Sequence, residues 1–311
     1  MTKKVQVIIN PAAGGDTPIL NVLNTVFLEN GVEWDVSITH RAGDARQAAR
    51  QAVQGGADVV AAYGGDGTVT EAANGLRGTE IPLAILPGGT ANVLARELNI
   101  PLGLADAARL ASGVESKIDR IDLGQMGEHI FLLRVGIGFE AAMVEQADRS
   151  LKENFGVLAY WWSALKNLRD PAIARYRLLL DGQETECSGF ACTIANSGNL
   201  GLPGLQLSTT ISVRDGLLDV IVVEEASLRS LAEVLGQIFS KQAIAAPPED
   251  AADQSYLDQI QSSLRHWQAK EISVWVEPAQ VIQYDGEILE SAKMPLKISV
   301  LPQALSVVVP I

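Results

Sequence analysis

Positive charge is scarce in this chain: 24 Lys and Arg face 37 Asp and Glu, for a formal net charge of −13. That balance excludes an extended footprint on a phosphate backbone, so nucleic acid is not an expected partner. It also excludes charge-driven adhesion of the whole protein to an anionic bilayer, leaving only a local basic patch for that purpose. Cysteine is nearly absent; Cys187 and Cys192 stand five apart in a strand-like stretch. Period-two alternation puts them on opposite faces as part-buried free thiols, compatible with a reducing compartment. The three histidines, His40, His129 and His266, are isolated and have no zinc-ligand spacing. No apolar run reaches the ~18 residues that a membrane-spanning helix needs. The opening MTKKVQVIIN lacks the apolar core and cleavage site of a secretion signal. The expected location is therefore cytoplasmic, at most peripheral at the inner face of the membrane.

What is present is globular: 47% of the 311 residues are hydrophobic and 20% charged, enough for two domains with a sizeable core. The first ~125 residues alternate strands with helices. Strands are expected at 5–10, 34–39, 58–63 and 82–86. Helices are expected at 19–30, at 44–54 with Asp44 as cap, and from near Thr68 and Ala91. This alternation implies a doubly wound parallel sheet. Beyond Lys117 short strands dominate, at 118–123, 130–135, 174–180, 189–195, 217–223, 272–276, 281–284 and 296–301. Asp-Gly pairs at 181–182, 215–216 and 285–286 punctuate them as turns. An antiparallel β domain follows, with helical insertions near 155–168 and 228–241 and an exposed loop at 243–254.

Three glycine-rich turns follow strands of the parallel sheet, where such sheets bind ligands. They read NPAAGG at 10–15, GGDGTVTEAANG at 64–75 and LPGGTANVLARELNIP at 86–101. Glycines at 64, 65 and 67 let backbone N–H groups approach phosphate oxygens. Thr68 and Thr70 open a helix, whose N-terminus favours anions. Gly88, Gly89 and Thr90 repeat the arrangement, with Asn92 adding an amide. Asp66, the one carboxylate in its turn, would repel a polyphosphate unless it binds Mg²⁺ or accepts a proton. One such turn is a common connector; three at equivalent strand ends point to a phosphate site. No GxxxxGK[ST] loop occurs, and GIGFEA at 136–141 lies outside the strand–helix array, where it reads as a turn.

These turns, with GGDGT and LPGGTAN most specific, make the chain resemble the diacylglycerol kinase catalytic-domain family of bacterial lipid kinases. The likeness runs nearly end to end. NxxxG at 10–14, Thr39 before AGDA, SGNLGLP at 197–203, DGLLDV at 215–220 and YDGE at 284–287 occur in the family's order. The resemblance implies a nucleotide-binding α/β domain at 1–125, distantly shared with phosphofructokinases and NAD kinases. It implies a β-sandwich lipid domain at 126–303, and a last strand at 304–311 returning to the first domain. It implies ATP with Mg²⁺ as cofactors and a lipid acceptor. ATP contacts carry over to Asn10, Pro11, Ala12, Ala13, Gly14, Thr39, Gly64, Gly65, Asp66, Gly67, Thr68, Val69, Thr70 and Thr90; Gly89 and Asn92 join them from the turn chemistry. Asp215, with carbonyls of Ser212 and Leu217, corresponds to a structural Mg²⁺ site. Asp285 or Glu287 would take the proton of the lipid hydroxyl; Glu287 is the favoured base, with Asp285 its partner and Asp66 serving metal and nucleotide geometry.

Two positions depart from the family. Thr70 stands for an asparagine and Val93 for an aspartate, so a Mg²⁺–water network would form without that carboxylate. Read without the resemblance, the Asp-Gly pairs at 215 and 285 are ordinary turns with solvated aspartates. The segment 149–177 holds six cations against two acids around Tyr160, Trp161 and Trp162, a pattern suited either to a membrane surface or to a solvated face. The oligomeric state stays open, a homodimer included. Rival readings are a kinase of a soluble acceptor such as NAD, and a nucleotide- or lipid-binding regulator without turnover.

Overall fold

A computed structural model describes residues 3–15, 17–138, 173–202, 205–206, 210–224 and 264–311. The chain divides into two compact units. The first holds Met1–Leu123, Val213–Asp215 and Leu301–Ile311; the second holds Gly124–Ser212 and Gly216–Val300.

The first unit alternates β1 (Lys4–Ile9), α1 (Ile19–Glu29), β2 (Glu33–Ile38), α2 (Asp44–Gln54), β3 (Val59–Gly64), α3 (Asp66–Leu76), β4 (Leu83–Pro87), α4 (Val93–Glu97) and α5 (Leu104–Ser112). Its strands run parallel in the order β2-β1-β3-β4. Every residue of β3 and β4 is buried, which is why both read as unbroken apolar runs rather than alternating ones. The helices pair off, α1 with α5 and α2 with α3. Small residues let the second pair approach closely: α2 buries Ala45, Ala48, Ala49 and Ala52, and a Cβ on Gly75 of α3 would lie 2.6 Å from that of Ala49.

The second unit receives the end of β5 (Ser116–Met126), then β6 (His129–Phe131), β7 (Arg134–Gly138), β8 (Ala174–Leu180), β9 (Gln183–Gly189), β10 (Ala191–Ala195), β11 (Asn199–Leu202) and β12 (Leu205–Gln206). It continues with β13 (Leu218–Val223), β14 (Leu264–Ala269), β15 (Glu271–Glu277), β16 (Ile282–Tyr284), β17 (Glu287–Ile288) and the first part of β18 (Leu296–Pro310). One layer runs β14-β13-β10-β7-β16-β17; the other runs β18-β15-β8-β9. Val135, Ile137, Ile194 and Val220 of the first layer meet Tyr176, Leu178, Val274 and Ile298 of the second in one core. This is a β-sandwich. The remainder of β18 pairs in parallel with β4 of the first unit, Val307 opposite Leu83. The fold class is thus the one expected: a doubly wound parallel lobe, a β-sandwich and a final strand that returns.

Several details differ from the sequence reading. Asp44 is the first residue of α2, not its cap; Gly43 occupies that position at φ 88°. The strand expected at 130–135 is two strands, broken at Leu132 and Leu133, because an aspartate elsewhere takes their N–H groups. Cys187 and Cys192 form no disulfide and are both buried, but they sit on β9 and β10, in different layers, and face the same core. A turn at Phe190 intervenes, so alternation along one strand does not apply. Helix α5 and strands β9 and β14 were not foreseen, and α4 is a single short turn. The helical insertions at 155–168 and 228–241 and the loop at 243–254 lie outside the described residues. Among those described, no helix is long and apolar enough to cross a membrane.

Val307 is fully buried in the returning strand. Val307→Ala is expected to cost about 2 kcal/mol through lost burial and the cavity left behind, read as a lower denaturation midpoint. An unchanged midpoint would mean that this strand does not complete the first unit's core.

Candidate functional site

The three glycine turns of the first unit bond to one another directly. Gly14 donates its N–H to the carbonyl of Gly88 at 2.7 Å, and Gly88 donates to Gly64 at 2.9 Å. Asn10 Nδ2 reaches Thr68 Oγ1 at 3.1 Å while its Oδ1 accepts the N–H of Ala12 at 3.0 Å. Gly89 lies so close to the second turn that a Cβ there would sit 2.5 Å from Gly65 Cα. Asn92, at φ 48°, folds back on the third turn: Oδ1 accepts from Gly89 N–H at 2.9 Å and Nδ2 donates to Gly89 O at 2.7 Å. Asp66 Oδ1 accepts the N–H of Leu94 at 3.3 Å, linking the start of α3 to α4. Beneath them lies Tyr63, buried at the end of β3, whose ring fills the space that side chains on Gly14 and Gly88 would need. Burial also raises its phenol pKa.

Beside these turns the first unit has a cavity of about 470 Å³. Asn10, Pro11, Ala12 and Thr39 line it together with Gly67 and Thr68 at the head of α3. The remaining walls come from His40, Arg41, Ala42, Ala45 and Glu71. Ala13, Gly14, Gly64, Gly65, Val69, Thr70, Gly89, Thr90 and Asn92 stand outside that lining. Nothing lies within 4 Å of where a Gly67 Cβ would be, so this glycine leaves open space. Gly65, at the N-cap of α3, brings no side chain to that helix end, and the first N–H groups of any α-helix have no acceptor in their own helix. Glu71 holds the wall opposite. Its two oxygens accept the N–H groups of Gly43 at 2.8 Å and Ala45 at 3.1 Å, capping α2 from a neighbouring helix. Asp44 meanwhile accepts from His40 at 2.9 Å and Arg41 at 3.1 Å, and the bond from His40 chiefly keeps its carboxyl below the usual range. Tyr63, Glu71, His40 and Arg41 were not singled out from the sequence. Only the position of Glu71, one helical turn beyond Thr68, could have pointed to it.

In the second unit Asp285 and Glu287 differ sharply. Asp285 sits at φ 45° in a two-residue turn with Gly286 at φ 90°, joining β16 to β17. Its carboxylate accepts three backbone N–H groups: Leu132 at 2.7 Å, Leu133 at 2.9 Å and Arg134 at 3.0 Å. Asp285 is therefore a clamp on the β6–β7 break, not the solvated turn residue that the bare sequence suggested. Glu287 is exposed, and its Oε2 accepts the Tyr284 hydroxyl at 2.9 Å. Burial first, then that carboxylate, push the Tyr284 pKa up to about 12.

Asp215 is exposed at a turn, with Gly216 at φ 71°; Ser212 and Leu217 flank it and are half-buried. Among the described residues no three His, Cys, Asp or Glu side chains gather as a metal cluster. Asp219, the second acid of DGLLDV, is a buried strand residue and not a solvated one; its Oδ1 lies 2.6 Å from His266 Nε2. Val93 is buried as the first residue of α4, so this position is filled by packing. The basic aromatic segment lies mostly outside the described residues. Of its cations, Arg177 stacks 4.2 Å from the Trp275 ring centroid.

Removing the Asp285 carboxylate orphans N–H groups in a tight break. Asp285→Ala is expected to cost about 2–4 kcal/mol of stability, whereas Glu287→Gln, at an exposed site, should stay within about 0.5 kcal/mol. Denaturant titration of the two variants checks this, and equal stabilities would contradict the clamp.

Residues 4–126 match the diacylglycerol kinase catalytic domain, and residues 134–309 match the YegS C-terminal NAD kinase beta sandwich-like domain. An uncharacterized protein of Synechocystis sp. is 31% identical over 281 residues, covering 89% of this chain and 61% of that protein. The chain thus spans about three fifths of that relative. A Staphylococcus haemolyticus protein named "putative lipid kinase" is 29% identical over 80% of this chain and 76% of its own. A crystal structure described as a diacylglycerol kinase from Bacillus anthracis str. Sterne superposes with a TM-score of 0.77 at 26% identity, covering 98% of this chain and 96% of that one. With both halves matched in order, the chain belongs to the diacylglycerol kinase family of proteins that carry the YegS-type sandwich.

Proposed function

We propose that this chain is an ATP-dependent lipid kinase, transferring the γ-phosphoryl group of ATP to the hydroxyl of a diacylglycerol-like lipid. The observation that carries this reading is the joining of the three glycine turns beside a cavity that Gly67 and Thr68 line from the start of α3. N–H groups at a helix start, with the positive end of the helix dipole behind them, suit a phosphate chain. Asn10 to Gly14, Thr39, Gly64 to Thr70, Gly89, Thr90 and Asn92 form the nucleotide side. Asn92 and Tyr63 act there by holding the turns, and Glu71 by holding the cavity wall.

Asp215 with the carbonyls of Ser212 and Leu217 offers the hard oxygen donors that Mg²⁺ takes. That ion would be structural; Asp66, among the phosphate-facing glycines, would serve a Mg²⁺ that offsets charge on the phosphates during transfer. On the acceptor side, Glu287 takes the hydroxyl proton as the acceptor oxygen bonds to the γ-phosphorus and the bond to the bridging oxygen breaks, releasing ADP. Asp285 is committed to three N–H groups, which supports Glu287 over it as base.

The test supplies γ-labelled ATP, Mg²⁺ and diacylglycerol in mixed micelles, with NAD in a parallel reaction. Label in the lipid fraction is expected. Label on NAD would mean a soluble acceptor, and saturable ATP binding without ADP release would mean a regulator. Gly67→Val probes the nucleotide side without an internal clash, and is expected to weaken ATP binding by about ten-fold or more with an unchanged melting temperature. Unaltered affinity in that variant would remove the head of α3 from the site.

A further inference from the structure

We propose that Tyr284 is a positioning residue for the proton acceptor: its hydroxyl fixes Glu287 so that one carboxylate oxygen is committed and the other is left for the acceptor's proton. The inference rests on the reading of Glu287 as base. Tyr284 and Glu287 are directly opposed across the hairpin, and the hydroxyl donates to Oε2 at 2.9 Å. An exposed glutamate otherwise samples several rotamers, most of them unproductive for proton transfer.

The tyrosine is itself immobilised. Its ring packs against the sandwich core on one side and lies 4.7 Å from the His129 ring. The turn between the two residues is held at both ends, by the Asp285 clamp and by Gly286 N–H donating to Gln283 Oε1 at 2.8 Å. Gln283 is almost fully buried, so the turn hangs from the core and does not move with solvent. A phenol raised to about 12 keeps its proton across the neutral range and remains a donor to the carboxylate. A hydrogen bond that merely closed the hairpin would give the same distance, so the test must read more than stability.

Tyr284→Phe keeps the ring and its packing and removes only the donor. Its kcat is expected to fall about ten-fold, the worth of one hydrogen bond to a charged group, with KM for ATP unchanged. In a Glu287→Gln background the same substitution should cost nothing further. An optical titration separates the pairing from catalysis: the phenol signal lost in Tyr284→Phe should titrate near 12 in the native protein and lower in Glu287→Gln. A Tyr284→Phe enzyme with native kcat, where Glu287→Gln is inactive, would overturn the positioning role and leave the base intact. If Glu287→Gln keeps native turnover, the base assignment falls and the inference falls with it. A phenol titration indifferent to Glu287→Gln would overturn the pairing whatever the kinetics.

Discussion

The arrangement of the three glycine turns depends on the approach of one backbone to another at Gly65 and Gly89. A side chain at 89 would need to occupy space 2.5 Å from the Gly65 Cα, which no real contact permits. That approach brings the second and third turns together. The bonds Gly14 to Gly88 and Gly88 to Gly64 then add the first. Tyr63 supports the assembly from below, because its ring occupies the volume that the glycines at 14 and 88 leave vacant. Glycine is thus used here less for unusual dihedral angles than for room. Gly14 alone combines the two, at φ 77° against the tyrosine. Of the turn glycines with open space over them, Gly15 and Gly67, it is Gly67 that lines the cavity.

The acidic residues sort by what they hold. Asp285 and Glu71 spend their oxygens on backbone N–H groups, the first at a strand break and the second at the start of a helix. Both carry formal charge, yet their work is geometric. Asp219 is buried against His266 on the neighbouring strand. Glu287 is exposed, and its Oε2 accepts one phenol. A charge count would have treated all four alike. Their partners separate them.

The fold was legible because its signals are local. Strand–helix spacing and apolar runs fix the parallel sheet, and the glycine turns occur where strands end. The ordered motifs made the family recognisable before any coordinates. What stayed hidden depends on contacts distant in sequence. Nothing adjacent to Leu132 and Leu133 announces that Asp285, some 150 positions on, will break their strand. Tyr63 reads as one more strand residue until the turns that rest on it are in place. The two cysteines misled because Phe190 divides what looked like one strand, turning both thiols into one core. Helix α2 looked self-capped through Asp44, while Glu71 of α3 does that work.

The most direct test of the account is amide hydrogen exchange at residues 10–15, 64–70 and 87–92, with and without Mg²⁺ and ATP. If the three turns form one nucleotide surface, ATP should slow exchange in all three segments at the same ligand concentration, and Gly67→Val should move the response in all three together to about ten-fold or more higher ATP. Protection confined to one segment, or appearing elsewhere in the chain while these three stay unchanged, would contradict it.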